Sequence, residues 1–181
     1  MKIILETERT YLREMVDEDR NALSEILQDA EVMYAYEHAF SDQEVTDWLQ
    51  NQQNRYRQYG FGLWAVIEKK TGRLIGQCGI TMQQADNQQV PEIGYLFRRD
   101  YWHQGFAIET ASACKQYAFD VLNLPKITSI IRDNNYPSQK VARRNGMHRE
   151  FTITKHYYGI DMPHYVFSVT NPAFQQEKES V

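Results

Sequence analysis

The chain has 181 residues, 42% of them hydrophobic and 13% aromatic, with a formal net charge of −4. That length supports one domain with a sizeable core, and the acidic balance argues against a surface built to wrap nucleic acid. The two cysteines, Cys78 and Cys114, lack CxxC spacing. A disulfide framework or a zinc site is therefore not expected, and both read as buried thiols of a reducing compartment.

The opening MKIILETERTYL has an apolar run that stops at Glu6. This is too short for a signal peptide or a membrane span, so the expected location is the cytoplasm, with no membrane partner. Residues 9–15 read as a strand, and Asp17 as the N-cap of a helix reaching about Leu27. The aromatic stretch 32–40, VMYAYEHAF, suits a cleft wall better than a helix core. Ser41 and Glu44 form a capping box for a second helix, which carries Val45, Trp48 and Leu49 and ends at Gly60. Residues 63–69 and 74–82 flank Thr71-Gly72 and predict a hairpin. The next strand is 90–97, with Glu92, Gly94 and Leu96 on one face and Ile93, Tyr95 and Phe97 on the other.

A helix then runs from Gly105 to about Asn123, with Ala107, Ala111, Cys114, Ala118 and Val121 as its apolar stripe. Residues 126–132 read as a strand, Asn135 as the cap of a helix that Gly146 stops, and 148–157 and 162–169 as two final strands. The order β-α-α-β-β-β-α-β-α-β-β is α+β: a mixed central sheet of six to seven strands flanked by about four helices. The domain spans residues 1–172, followed by a polar tail, 173–181. It lacks the alternating βα pattern of a doubly wound dinucleotide fold.

The junction Gln104-Gly105-Phe106-Ala107 stands out. Small residues where a helix begins let backbone N–H groups approach an anion, and a helix N-terminus carries unpaired donors and partial positive charge. A glycine near a helix start is more often a tight turn than a phosphate site, so the junction alone is a weak signal.

Three segments together resemble the GNAT superfamily of acetyl-CoA N-acetyltransferases, and most closely the branch that acetylates ribosomal-protein N-termini. They are LETERTYLRE, EIGYLFRRDYWHQGFAIETA and NNYPSQKVARRNGM, and the likeness runs from about Glu6 to Asn171. The family's loop pattern Q/R-x-x-G-x-G/A has Trp102 at its first position here. A tyrosine that many members carry seven residues after the helix-opening Asn is Ala142. The strand-six glutamate of some ribosomal-protein enzymes has no clear counterpart in Lys155-His156-Tyr157.

The resemblance implies direct attack of a neutral amine on the acetyl-CoA thioester, with no metal. It assigns the pyrophosphate to the backbone of Gln104, Gly105, Phe106, Ala107 and Ile108, and the pantetheine arm to Leu96, Phe97 and Arg98, with Asn135 and Ser138 from the other side. Glu92 is the candidate base, with His164 and His38 behind it. Ser138 is the candidate acid, with Tyr136 and Tyr157 as alternates. The oxyanion falls to the N–H of Leu96 or Phe97. Tyr34, Tyr36, His38, Trp64, Tyr157 and His164 are expected to line the acceptor cleft, with Phe40, His156 and Tyr165 nearby. The acceptor is then an amine on a peptide or on a small molecule: a polyamine, antibiotic or amino acid. The alternative outside catalysis is an acetyl-CoA-binding sensor, and homodimers are common in the family.

Overall fold

The computed structural model describes residues 2–36, 38–157 and 159–175, with the side chains of Tyr157 and Gln175 excepted. Eight strands hydrogen-bond in the order β1-β2-β3-β4-β5-β6-β8-β7. They are β1 (Ile3–Glu6), β2 (Thr10–Arg13), β3 (Leu63–Glu68), β4 (Leu74–Ala85), β5 (Gln88–Phe97), β6 (Lys126–Arg132), β7 (His148–Tyr157) and β8 (Ile160–Thr170). The helices are α1 (Arg20–Leu27), α2 (Asp42–Tyr59), α3 (Phe106–Asp120), α4 (Tyr136–Arg144) and the single turn α5 (Pro172–Gln175). The α+β class holds. The sheet exceeds the expected six to seven strands because β1 forms an added edge, antiparallel to β2 with an irregular register between Ile3 and Leu5. The described part of the tail, residues 173–175, lies in α5, and the remainder of that expectation lies outside the described residues.

The chain forms two compact units, the first comprising residues 1–81 and 94–114 and the second residues 82–93 and 115–181. In the first, α1 buries Leu23, Ile26 and Leu27, the i, i+3, i+4 stripe of an amphipathic helix. They join Met33, Val45, Leu49, Ala65 and Ile67 in one apolar core, against which Phe40, Trp48, Leu96 and Trp102 also rest. The entry to α1 differs from expectation. A 3-10 turn, Asp17–Asp19, precedes the helix, and Asp19 rather than Asp17 organises it. The Asp19 carboxylate accepts the Val16 N–H at 2.9 Å and the two terminal nitrogens of Arg13 at 2.6 and 2.7 Å. For α2 the capping box is present as expected, and Gly60 closes the helix with a left-handed φ of 76°.

In the second unit β6 pairs antiparallel with β8 from Lys126↔Thr170 to Arg132↔His164. β7 pairs with β8 across a register shift between Arg149 and Phe151. Glu150, the residue at that shift, is free of the ladder's alternation and receives the Lys126 ammonium at 2.6 Å. Ile127, Met147, Met162 and Phe167 are fully buried here. The helical stripe expected on α3 is shorter than its sequence suggested. Ala111, Cys114 and Ala118 are buried, but Val121 lies past the helix end and is 63% exposed.

Candidate active site

In the first unit, the end of β5 feeds a tight loop into α3. The Arg98 N–H donates to Ile75 O at 2.9 Å, so its peptide group faces β4. Peptide groups alternate edges along a strand. Of the three residues assigned to the pantetheine arm, Leu96 and Arg98 therefore turn their backbone toward β4, and Phe97 turns its own toward the other edge. The reason is register, which the residue types do not encode. Phe97 O accepts the Trp102 indole N–H at 3.0 Å, which anchors the loop to the strand that precedes it.

The Arg98 guanidinium pairs with Glu25 and Asp100, and that of Arg99 with Asp29 and Glu31. His103 (φ 59°) and Gly105 (φ 86°) both take left-handed backbone, and Gln104 between them donates its amide to Asp100 O at 2.7 Å. The chain thus turns sharply and delivers Phe106, Ala107 and Ile108 into the first turn of α3, where N–H groups have no intrahelical acceptor. A Cβ built on Gly105 would meet the Arg9 guanidinium at 3.5 Å and, its two chain neighbours aside, no other atom of the described residues within 4 Å. The backbone here is open to a bulky anion, and the side chain beside it is a cation.

That arginine had no signal in the sequence. The Glu109 carboxylate, in the first turn of α3, accepts from Thr7 Oγ1 at 2.7 Å, Arg9 N at 3.0 Å and Arg9 Nε at 2.7 Å. Burial alone would raise the pKa of Glu109, but these hydrogen bonds outweigh it and hold the group below its ordinary value. Residues a hundred positions apart meet, a pairing that only the completed fold can reveal.

The aromatic segment between α1 and α2 forms a 3-10 turn at Tyr34–Tyr36, with these tyrosines 42% and 40% exposed. Tyr36 meets Phe40 and Trp48 edge-on, with centroids 6.3 and 5.9 Å away. His38 Nε2 lies 2.8 Å from Glu44 Oε1. The Ser41 backbone N–H, followed by the His38 ring, holds the Glu44 carboxyl down at about 2. Trp64 departs from its expected place. It is 0% exposed and belongs to the buried core, because β3 is covered on both faces. It does not line an open cleft.

The second unit holds the remaining candidates. Glu92 pairs with Thr128 where β5 and β6 run parallel. Around that pair side chains carry the link: Thr128 Oγ1 donates to Pro91 O at 2.8 Å, Ser129 Oγ to Ile93 O at 3.0 Å, and Ile130 N to Glu92 Oε1 at 3.0 Å. Glu92 thus joins strands as well as presenting a carboxylate. Asn135 Oδ1 accepts the Ser138 N–H at 3.2 Å, the N-cap of α4, which leaves its amide NH2 as the donor it can offer a ligand. Tyr136 is 67% exposed at the start of that helix. His164 is only 7% exposed, so it is not an open-cleft residue as expected. Its Nδ1 lies 2.9 Å from Met162 O, and burial lowers its pKa. His156 pairs with Asp161, and the Arg149 guanidinium sits 3.5 Å above the Tyr165 ring. Tyr157 closes β7, and its side chain lies outside the described residues.

The sequence matches the acetyltransferase (GNAT) domain over residues 9–148. The chain belongs to the GNAT acetyltransferase family. As a GNAT protein it is an acyltransferase. It is 39% identical to YkkB of Bacillus subtilis over 155 residues, which cover 85% of this chain and 90% of YkkB. Among solved structures it resembles a GNAT acetyltransferase of Bacillus anthracis, with a TM-score of 0.80, 23% identity, and 92% and 98% of the two chains covered. It also resembles RimL, a ribosomal-protein alpha-N acetyltransferase solved with coenzyme A. There the TM-score is 0.79 at 17% identity, over 95% and 99% of the chains. The two structural likenesses concern the fold.

Proposed function

We propose that this GNAT protein transfers the acetyl group of acetyl-CoA to the primary amine of a peptide or protein N-terminus. The observation that carries the cofactor reading is the Gly105 turn. It has left-handed backbone at the mouth of α3, open space above the glycine, and a guanidinium alongside. Bound there, acetyl-CoA supplies an activated thioester. The amine nitrogen attacks the carbonyl carbon, a C–N bond forms, the C–S bond breaks, and the thiolate leaves with the electron pair. Phe97, whose peptide faces away from β4, is the proposed oxyanion donor. Glu92 is the proposed base, acting through water, and Ser138 the proposed acid. A thiol ionises near pH ~8.5, so the thiolate is a tolerable leaving group and the acid contributes little.

The acceptor reading rests on charge. Of the carboxylates near the aromatic segment, Glu31 pairs with Arg99, Asp42 with Arg20 and Glu44 with His38. Glu37 lies outside the described residues. A polycationic acceptor calls for several uncommitted carboxylates, whereas the exposed rings of Tyr34 and Tyr36 suit a single amine carried on a peptide.

The test is thiol release from acetyl-CoA over a panel of N-terminal peptides and small amines, with wild type beside Glu92→Gln. Turnover on peptides with a loss in the variant supports the whole reading. Turnover confined to small amines replaces the acceptor class. Tight acetyl-CoA binding with no turnover on any amine leaves a sensor.

A further inference from the structure

Arg9 sits in the turn between β1 and β2, and its side chain reaches three places around Gly105 at once. Nε and one terminal nitrogen grip Glu109 Oε2 at 2.7 and 2.6 Å. The other terminal nitrogen donates to Gln104 O at 3.0 Å. The guanidinium carbon lies 4.0 Å from the centroid of the Phe106 ring. Residues 104, 106 and 109 are thereby fixed to one rigid planar group, and Thr7 braces the same carboxylate at 2.7 Å. No point charge could hold a carboxylate, a carbonyl and a ring face together in this way.

We propose that Arg9 is a positioning residue for the cofactor phosphates. It sets the orientation of the Gly105 turn and of the first N–H groups of α3, and so their convergence on the pyrophosphate. Its charge is balanced by Glu109, so its contribution is geometric. This rests on the reading of the Gly105 turn given above. A buried ring, a helix carboxylate and a loop carbonyl are tied to a strand turn remote in sequence, and the glycine between them needs a φ of 86°. Without the clamp the turn gains freedom, and its donors no longer share one target.

The experiment compares wild type, Arg9→Met and Arg9→Lys. CoA affinity is read by calorimetry, KM and kcat for acetyl-CoA at saturating acceptor, and folding by thermal unfolding. Arg9→Met should weaken CoA binding and raise KM by about tenfold or more, the scale of one lost hydrogen bond to a charged group. Its kcat should stay within about twofold. Arg9→Lys, which keeps the charge and loses the fork, should behave like Arg9→Met, and it serves as the test if the methionine variant fails to fold. Affinity restored by lysine would overturn the geometric role, and so would a fall in kcat at unchanged KM. A wild type that binds no CoA would remove the loop reading itself, which separates that failure from failure of the Arg9 proposal.

Discussion

An alanine at Gly105 finds room, because its Cβ meets only the Arg9 guanidinium at 3.5 Å. Its difficulty is the φ of 86°, which costs an L-residue roughly 1–2 kcal/mol. Gly105→Ala should therefore lose about that much stability in urea unfolding, and its acetyl-CoA KM should rise. Gly79 presents the opposite problem. A Cβ there would stand 2.0 Å from Gly62 O and 2.9 Å from Leu63 Cα, both backbone atoms that cannot swing aside. Gly79→Ala should cost more, on the order of 2–4 kcal/mol, with the acetyl-CoA KM unchanged in whatever fraction folds. His164 carries a pH dependence. Its folded pKa lies below the ordinary 6.5, so the unfolded chain takes up the proton first. The folded state keeps its full stability above pH 6.5 and loses it as pH falls below that value. Urea midpoints at pH 7.5 and 5.5 should separate more for wild type than for His164→Gln, and equal separations would exclude His164 as the cause.

At the scale of elements, helix caps provide a way to divide structural from functional roles. Ser41 accepts the Glu44 N–H at 3.3 Å at the start of α2, and Ser41→Ala should lower stability by about 1 kcal/mol. Asn135 is more informative, since its carbonyl oxygen caps α4 while its NH2 is the group offered to a ligand. Asn135→Asp keeps a capping oxygen and lacks the NH2. Its melting temperature should stay near wild type while CoA affinity falls, and an unchanged affinity would assign Asn135 to the helix alone. These caps were legible in the sequence because their signals are local: Ser-x-x-Glu before an apolar run, Asn-x-x-Ser before a helix, and glycines after the last turn. What escaped was decided by pairing. β1 is four residues held at an edge by β2, without alternation strong enough to stand out. Trp64 looked like a cleft aromatic because a strand buried on both faces shows no period of two. Of Leu96, Phe97 and Arg98, only the bond from Arg98 to Ile75 tells which backbone faces outward. Arg9 and Glu109 lay too far apart for any spacing rule.

For the molecule as a whole, a ligand that binds only the folded state must stabilise it by mass action. At a hundred times its Kd, CoA should add about 2.7 kcal/mol, and the melting temperature should keep rising with concentration beyond saturation. Arg9→Met should show a smaller rise at each concentration. The two cysteines bear on how such work can be done. Cys78 and Cys114 are both 0% exposed, with their sulfurs 3.6 Å apart inside the first unit, and burial pushes the Cys114 thiol well up. Reagents attack thiolates, and both sulfurs are shielded from solvent, with Cys114 also held in its thiol form by burial. A colorimetric thiol reagent added to the native protein should therefore give almost no background, and the signal during turnover belongs to coenzyme alone. Once the first unit opens, the protein itself becomes reactive at two sulfurs per chain. The same cuvette then counts turnovers while the fold stands and reports the moment it gives way.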